Sequence, residues 1–217
     1  MSSERPPPPG WTVWLLETVQ RLWPEGKRAR TIVTVLLVTA LVALIAFAFL
    51  LPFAVDDSTP GAVILGFVAI FIVNAISTFT IPTPGLSILG QALIAYYGAQ
   101  VDPILAGVVG GTAMAVGQIP NYAVGSVAWG AVETRISDRP KLQERVNAVA
   151  DRVERRGWLA VSTLSFVPNP FTLFGDMAAG YSRMPFGVFF LAAWGARLAR
   201  SLIIAFLGAA FLDGLEW

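Results

Sequence analysis

Two apolar stretches of this chain are broken by the same device. Phe79 to Gly90 reads FTIPTPGLSILG and Ser165 to Gly175 reads SFVPNPFTLFG, and each sets two prolines, one residue apart, in apolar sequence. A proline removes a backbone donor and its ring clashes with the preceding turn, so no regular helix runs through either site. The surroundings offer no retreat into water. Hydrophobic residues make up 55% of the chain and charged ones 13%, with a mean hydropathy of +0.66, a balance that points to an integral membrane protein. At membrane depth, non-helical backbone survives only where protein or water covers it. The two breaks therefore predict turns that face an interior cavity.

The uncharged run Thr31 to Leu51 is as long as the roughly 20 residues that a spanning helix needs. It predicts a transmembrane helix over 31–52, retained rather than cleaved, because the segment 1–30 precedes it and a signal peptide has a shorter apolar core nearer the N-terminus. Arg21, Lys27, Arg28 and Arg30 lie before this run and Asp56 and Asp57 after it, so the positive-inside rule places the N-terminus in the cytoplasm. The stretch 133–156 carries Arg135, Arg139, Lys141, Arg145, Arg152, Arg155 and Arg156 and is expected on the same side. Leu142, Val146, Val149 and Val153 recur there at helical spacing, with Pro140 suited to a first turn and Gly157 to a cap. This amphipathic helix either packs on the protein's own cytoplasmic face or lies among lipid headgroups.

Between the outside loop at Asp57 and the inside helix at Glu133, the segment Gly61 to Gly130 holds more apolar sequence than one crossing requires. A re-entrant hairpin fits: a helix over about 61–80, a break at Ile81 to Gly85 formed by Pro82, Pro84 and Gly85, and a shorter returning helix. Val167-Pro168-Asn169-Pro170 repeats the P-x-P core, and each copy is followed by an apolar segment, a polar turn, another proline (Pro103, Pro185) and a long apolar helix. The second hairpin would enter from the opposite side. Inverted repeats with broken helices are characteristic of transporters. The expected fold is thus all-α and membrane-integral: segment 1–30, transmembrane helix 31–52, first hairpin plus transmembrane helix 61–130, amphipathic helix 133–156, second hairpin plus transmembrane helix 157–212.

Pro82 to Gly85, Gly117-Gln118-x-x-Asn121-Tyr122-x-x-Gly125, Phe166-Val167-Pro168-Asn169-Pro170 with Gly180 ten residues on, and Gly195-Ala196-Arg197-Leu198-Ala199-Arg200 together resemble the DedA family, also called the VTT or SNARE-associated Golgi protein superfamily. The V-P-N-P form is similar to the branch containing the vacuole membrane proteins. The resemblance implies two opposed re-entrant hairpins and movement of lipid between leaflets, with membrane phospholipids or undecaprenyl phosphate as partners. Family members with proposed proton coupling carry ionisable residues where this chain has Asn74, Leu86, Ser165 and Phe171. That departure argues against proton coupling here.

Arg197 falls about 18 Å into the last apolar helix, near the middle of a hydrocarbon core of about 30 Å, and Arg200 follows on the same face. A guanidinium there costs at least about 2.5–3.5 kcal/mol unless it snorkels, pairs or meets water. Asp176 is the expected partner, in a bridge that either locks the hairpin or guides headgroups. Asn74, Gln118, Asn121, Tyr122 and Asn169 are candidates for neutral hydrogen bonds along a lipid path or for interhelical glue. Tyr96 and Tyr97 read as interfacial belt residues. Gly107, Gly110 and Gly111 read as small-residue helix packing.

With no Cys and no His, thiolate and imidazole metal sites, catalytic triads and disulfides are excluded. No metal and no cofactor is expected, and a lone Asp176 does not make an aspartyl enzyme. A formal net charge of +1 gives no basis for nucleic-acid binding. The expectation is a lipid scramblase or flippase, not an enzyme, in a bacterial plasma membrane, with a homo-oligomer left open. The alternatives are a proton- or ion-coupled solute transporter of the same architecture, and a non-transporting membrane organiser in which Pro6 to Pro9 dock a partner.

Overall fold

Prolines set most of the helix boundaries. The computed structural model describes residues 60–79, 84–136, 140–167 and 171–213, with a few isolated positions before them. The helix expected over 31–52, most of 1–30, and the turn residues Pro82, Pro168, Asn169 and Pro170 lie outside the described residues. Seven helices follow: α1 (Pro60–Phe79), α2 (Pro84–Gln100), α3 (Pro103–Ile136), α4 (Pro140–Arg156), α5 (Trp158–Phe166), α6 (Thr172–Tyr181) and α7 (Phe186–Asp213). Four of them start on a proline, whose fixed φ suits the first turn and whose missing N–H costs nothing there. Pro84 and Gly85, expected in the first hairpin's turn, open α2 instead.

Among the described residues, three helices are long and apolar enough to cross a membrane, over Gly61–Thr78, Pro103–Val127 and Phe186–Phe211. At 1.5 Å per residue, the 9 residues of α5 and the 10 of α6 extend only about 14–15 Å each, half of a hydrocarbon core. The helix α3 continues to Ile136, so Glu133 to Ile136 close this helix and the amphipathic helix begins at Pro140. Neither proline nor glycine occurs between Ala131 and Ile136 to end the helix sooner.

The long helices α3 and α7 pack against each other and form the centre. Around them, α1 packs on α3 and α2 on α7, while α5 packs on α7 and α6 on α3. Two apolar cores result. One gathers Ile70, Val73, Ile94, Tyr97, Met114 and Ala205 from α1, α2, α3 and α7. The other gathers Tyr122, Val146, Val153, Val161, Ala178 and Phe189 from α3 to α7.

Val146, Val149 and Val153 of α4 are buried, and α4 lies on α6, α5 and α3. Covering a valine contributes about 1.5–3 kcal/mol, so packing on the protein itself accounts for the apolar stripe. Gly157, at φ 51°, ends the helix and its N–H bonds to the Val153 carbonyl. Tyr97 departs from expectation. It is buried to 1%, because Gly66 opens a slot on α1 into which its ring fits. Its phenol ring stacks obliquely on Phe67 with centroids 5.9 Å apart, a core position rather than a belt one.

Candidate functional site

On both central helices, the polar residues occupy the interval between the two cores. In α3, Gln118 and Asn121 lie between Met114 of one core and Tyr122 of the other; in α7, Arg197, Arg200 and Ser201 lie between Ala193 and Ala205. All five are buried, as are Asn74, Ser165, Thr172 and Asp176 on the short helices and α1. The spans over Pro103–Val127 and Phe186–Phe211 both contain this layer.

Asn121 holds the layer together. Its Nδ2 donates to the Thr78 carbonyl at 3.1 Å and faces Asp176 Oδ2 at 3.4 Å. Thr78 lies in the last turn of α1, where helix carbonyls have no intrahelical donor, so one side chain satisfies a helix end and reaches a carboxylate on α6. Gln118 donates from Nε2 to Ser165 Oγ at 3.2 Å and lies beside Asp176. Thr172 Oγ1 donates to the Leu164 carbonyl at 3.0 Å, satisfying the last turn of α5 in the same way. The break between α1 and α2 and that between α5 and α6 are thus tied to α3 from both sides.

Asp176 and Arg197 are electrostatically coupled, but they do not close into a bridge. Among the described residues the one ion pair within 4.0 Å is Arg155 with Asp151, exposed on α4. The Asp176–Arg197 and Asp176–Arg200 bridges expected from the sequence are therefore not formed, because Asn121 and Gln118 stand against the carboxylate. Arg197 Nη1 donates to Met114 Sδ at 4.0 Å, a weak acceptor. Arg197 Nε, Arg200 Nη2 and Ser201 Oγ are enclosed without an acceptor or donor among the described residues, and so are Gln118 Oε1 and Asn74 Oδ1. Enclosed polar atoms of this kind are uncommon in folded proteins.

Other candidates separate from this layer. Asn74 Nδ2 donates to the carbonyls of Ile70 at 2.8 Å and Gly90 at 3.1 Å, joining α1 to α2. Tyr122 belongs to the second core, donating to the Met184 carbonyl at 2.6 Å and stacking on Phe189 with centroids 4.7 Å apart. Asn169 lies outside the described residues. Sequence reasoning missed Thr78 and Ser201, and Trp194, whose Nε1 donates to Thr112 Oγ1 at 3.1 Å across the α3/α7 crossing. A serine adjoining two membrane-depth arginines was the available signal for Ser201.

Glycines bring these helices close. A Cβ on Gly111 would lie 2.7 Å from Leu198 Cα, and one on Gly107 2.9 Å from Leu202 Cα, so α3 and α7 cross at near backbone contact, as small residues in membrane helices permit.

The VTT domain model matches residues 81–210, which takes in α2 to α6, nearly all of α7 and the layer's residues on these helices, whereas Asn74 and Thr78 of α1 precede it. The chain belongs to the VTT domain family. Comparison with curated proteins and with solved structures returns no match. VTT domain proteins are membrane proteins of the DedA type with proposed transporter or lipid-related roles. The family match and the three candidate spans together make this chain an integral membrane protein.

Proposed function

We propose that this VTT domain protein moves the polar head of a phospholipid or polyprenyl phosphate between leaflets, along the polar layer between its two cores. The observation that carries the reading is the pair of enclosed donors, Arg197 Nε and Arg200 Nη2, in the central part of a spanning helix and without acceptors among the described residues. Isolated buried cations are costly at this depth, and a phosphate accepts charge-assisted hydrogen bonds from guanidinium groups. With one carboxylate against two guanidinium groups, the layer favours an anionic visitor.

An inverted repeat of two re-entrant hairpins is the architecture that we infer for this path. Its support is the exchange of pairings about the central crossing: α1 and α5 pack on α3 and α7 respectively, and α2 and α6 on α7 and α3. The close glycine contacts follow the same exchange. Gly98 and Gly208 bring α2 against α7 at Ala205 and Ala95, while Gly180 and Gly125 bring α6 against α3 at Tyr122 and Met177. The short helices α5 and α6, tied at their break to α3, suit the second of these hairpins. The neutral residues Asn74, Leu86 and Ser165 are all buried, which favours passive movement over proton coupling. No covalent step is part of the reading.

Reconstituted liposomes test it. A fluorescent phospholipid should become accessible to an external quencher beyond its outer-leaflet share, without an imposed pH gradient. Accessibility held at the outer-leaflet share, together with gradient-driven solute flux, would establish the ion-coupled solute transporter instead.

A further inference from the structure

The turn between α6 and α7 places an arginine where the backbone asks for glycine. The Arg183 N–H bonds to the Gly180 carbonyl at 3.1 Å and the Met184 N–H to the Ala179 carbonyl at 3.1 Å, the paired bonds of a Schellman ending whose left-handed residue is most often glycine. Arg183 holds that position at φ 58° and is the one non-glycine residue with positive φ among the described residues. A side chain there carries a steric cost that glycine avoids. Two nitrogens of the Arg183 guanidinium, Nε and Nη1, are enclosed without an acceptor among the described residues. Arg183 is electrostatically coupled to the Tyr122 phenol, whose hydroxyl is committed to the adjacent Met184 carbonyl at 2.6 Å. No carboxylate lies within 4.0 Å of it among the described residues.

The position borders a candidate membrane span. The candidate span begins at Phe186, three residues on, about 5 Å along a helix. The neighbouring α4 ends beside the same turn, since Met184 Cε lies 3.9 Å from where a Gly157 Cβ would stand. Arg155 and Arg156 are exposed in that last turn of α4, followed by exposed Trp158. Enclosed guanidinium donors at headgroup level, flanked by further cations and an exposed tryptophan, match the chemistry of a phosphate ester.

We propose that Arg183 forms a phosphate-binding site at this boundary, distinct from the polar layer around Arg197, with a lipid phosphate or a soluble phosphate ester as its ligand. The site does not depend on lipid translocation. The test uses the full chain in detergent, with short-chain phosphatidylglycerol and inorganic phosphate as separate probes. Binding is read by native mass spectrometry and by the probe-induced rise in melting temperature. Arg183→Gly should weaken binding of the responding probe by about tenfold, the loss of one charge-assisted contact, and should melt at the same temperature as the parent or higher without probe. Arg183→Lys should keep part of the affinity. A response to phosphatidylglycerol alone assigns a lipid phosphate, and a response to inorganic phosphate assigns a soluble ester. Equal binding by the parent and Arg183→Gly, or no response to either probe, overturns the proposal. So does a lower melting temperature or failure to fold for Arg183→Gly, because the arginine would then be structural.

Discussion

The crossing of α3 and α6 makes a paired prediction from four glycines. A Cβ on Gly180 would lie 2.8 Å from the Ser126 nitrogen and closer still to the Tyr122 carbonyl, and a Cβ on Gly125 would press on the Met177 backbone. These neighbours are backbone atoms inside helices and have no rotamer through which to yield. Gly187 and Gly195 on α7 have nothing within 4 Å of the same position. Replacing any of the four by alanine adds one methyl group and raises helix propensity by up to about 1 kcal/mol. Overpacking costs about 1–3 kcal/mol where the structure cannot relax. Gly180→Ala and Gly125→Ala should therefore be less stable than Gly187→Ala and Gly195→Ala by about 1–3 kcal/mol, which is about a 5- to 150-fold shift of the unfolding equilibrium. Equilibrium unfolding in mixed detergent micelles, followed by helical circular dichroism, measures the difference. The same splaying would separate Asp176 from Asn121, so lipid movement should fall with stability in the first pair only. Four variants of indistinguishable stability would refute the close crossing.

Other outcomes follow from single contacts. Asp176→Asn removes the carboxylate coupled to Arg197 and should destabilise by about 1–3 kcal/mol; with Arg197→Ala in addition, the loss should be smaller than the sum, since the two groups act on each other. Trp194→Phe deletes the bond to Thr112 and should cost about 0.6–1 kcal/mol in micelle unfolding, the usual value of a hydrogen bond between membrane helices. Val153→Asp puts a charge under α4 and should release this helix, detectable as new protease cleavage between Pro140 and Arg156 with the spanning helices intact; unchanged cleavage would contradict the docking.

The helix starts at Pro103 and Pro140 were the most legible part of the chain, because a proline in a first turn acts on its own helix and needs no distant partner to be understood. The amphipathic stripe of α4 was legible for the same reason, although only the structure decides that it covers α6 rather than lipid. Contacts between distant residues were not. The slot that buries Tyr97 is made by Gly66 on another helix, and nothing around Tyr97 announces it. Asp176 was recognisable as a rare carboxylate at depth, but its nearest polar neighbours are set by how α3 crosses α6. The amides of Asn121 and Gln118 consequently took the place that sequence reasoning gave to an arginine. Arg183 escaped notice because its peculiarity is a backbone angle, which composition and spacing do not record.

The central claim is that Arg197 and Arg200 guide a phosphate through the polar layer. Its most direct test compares lipid scrambling in liposomes for the parent protein, Arg197→Ala/Arg200→Ala and Arg197→Lys/Arg200→Lys, each shown by circular dichroism and a monodisperse elution profile to be folded. Expected are scrambling by the parent, none above protein-free vesicles for the alanine pair, and partial recovery with lysine. Undiminished scrambling by a folded alanine pair would contradict it.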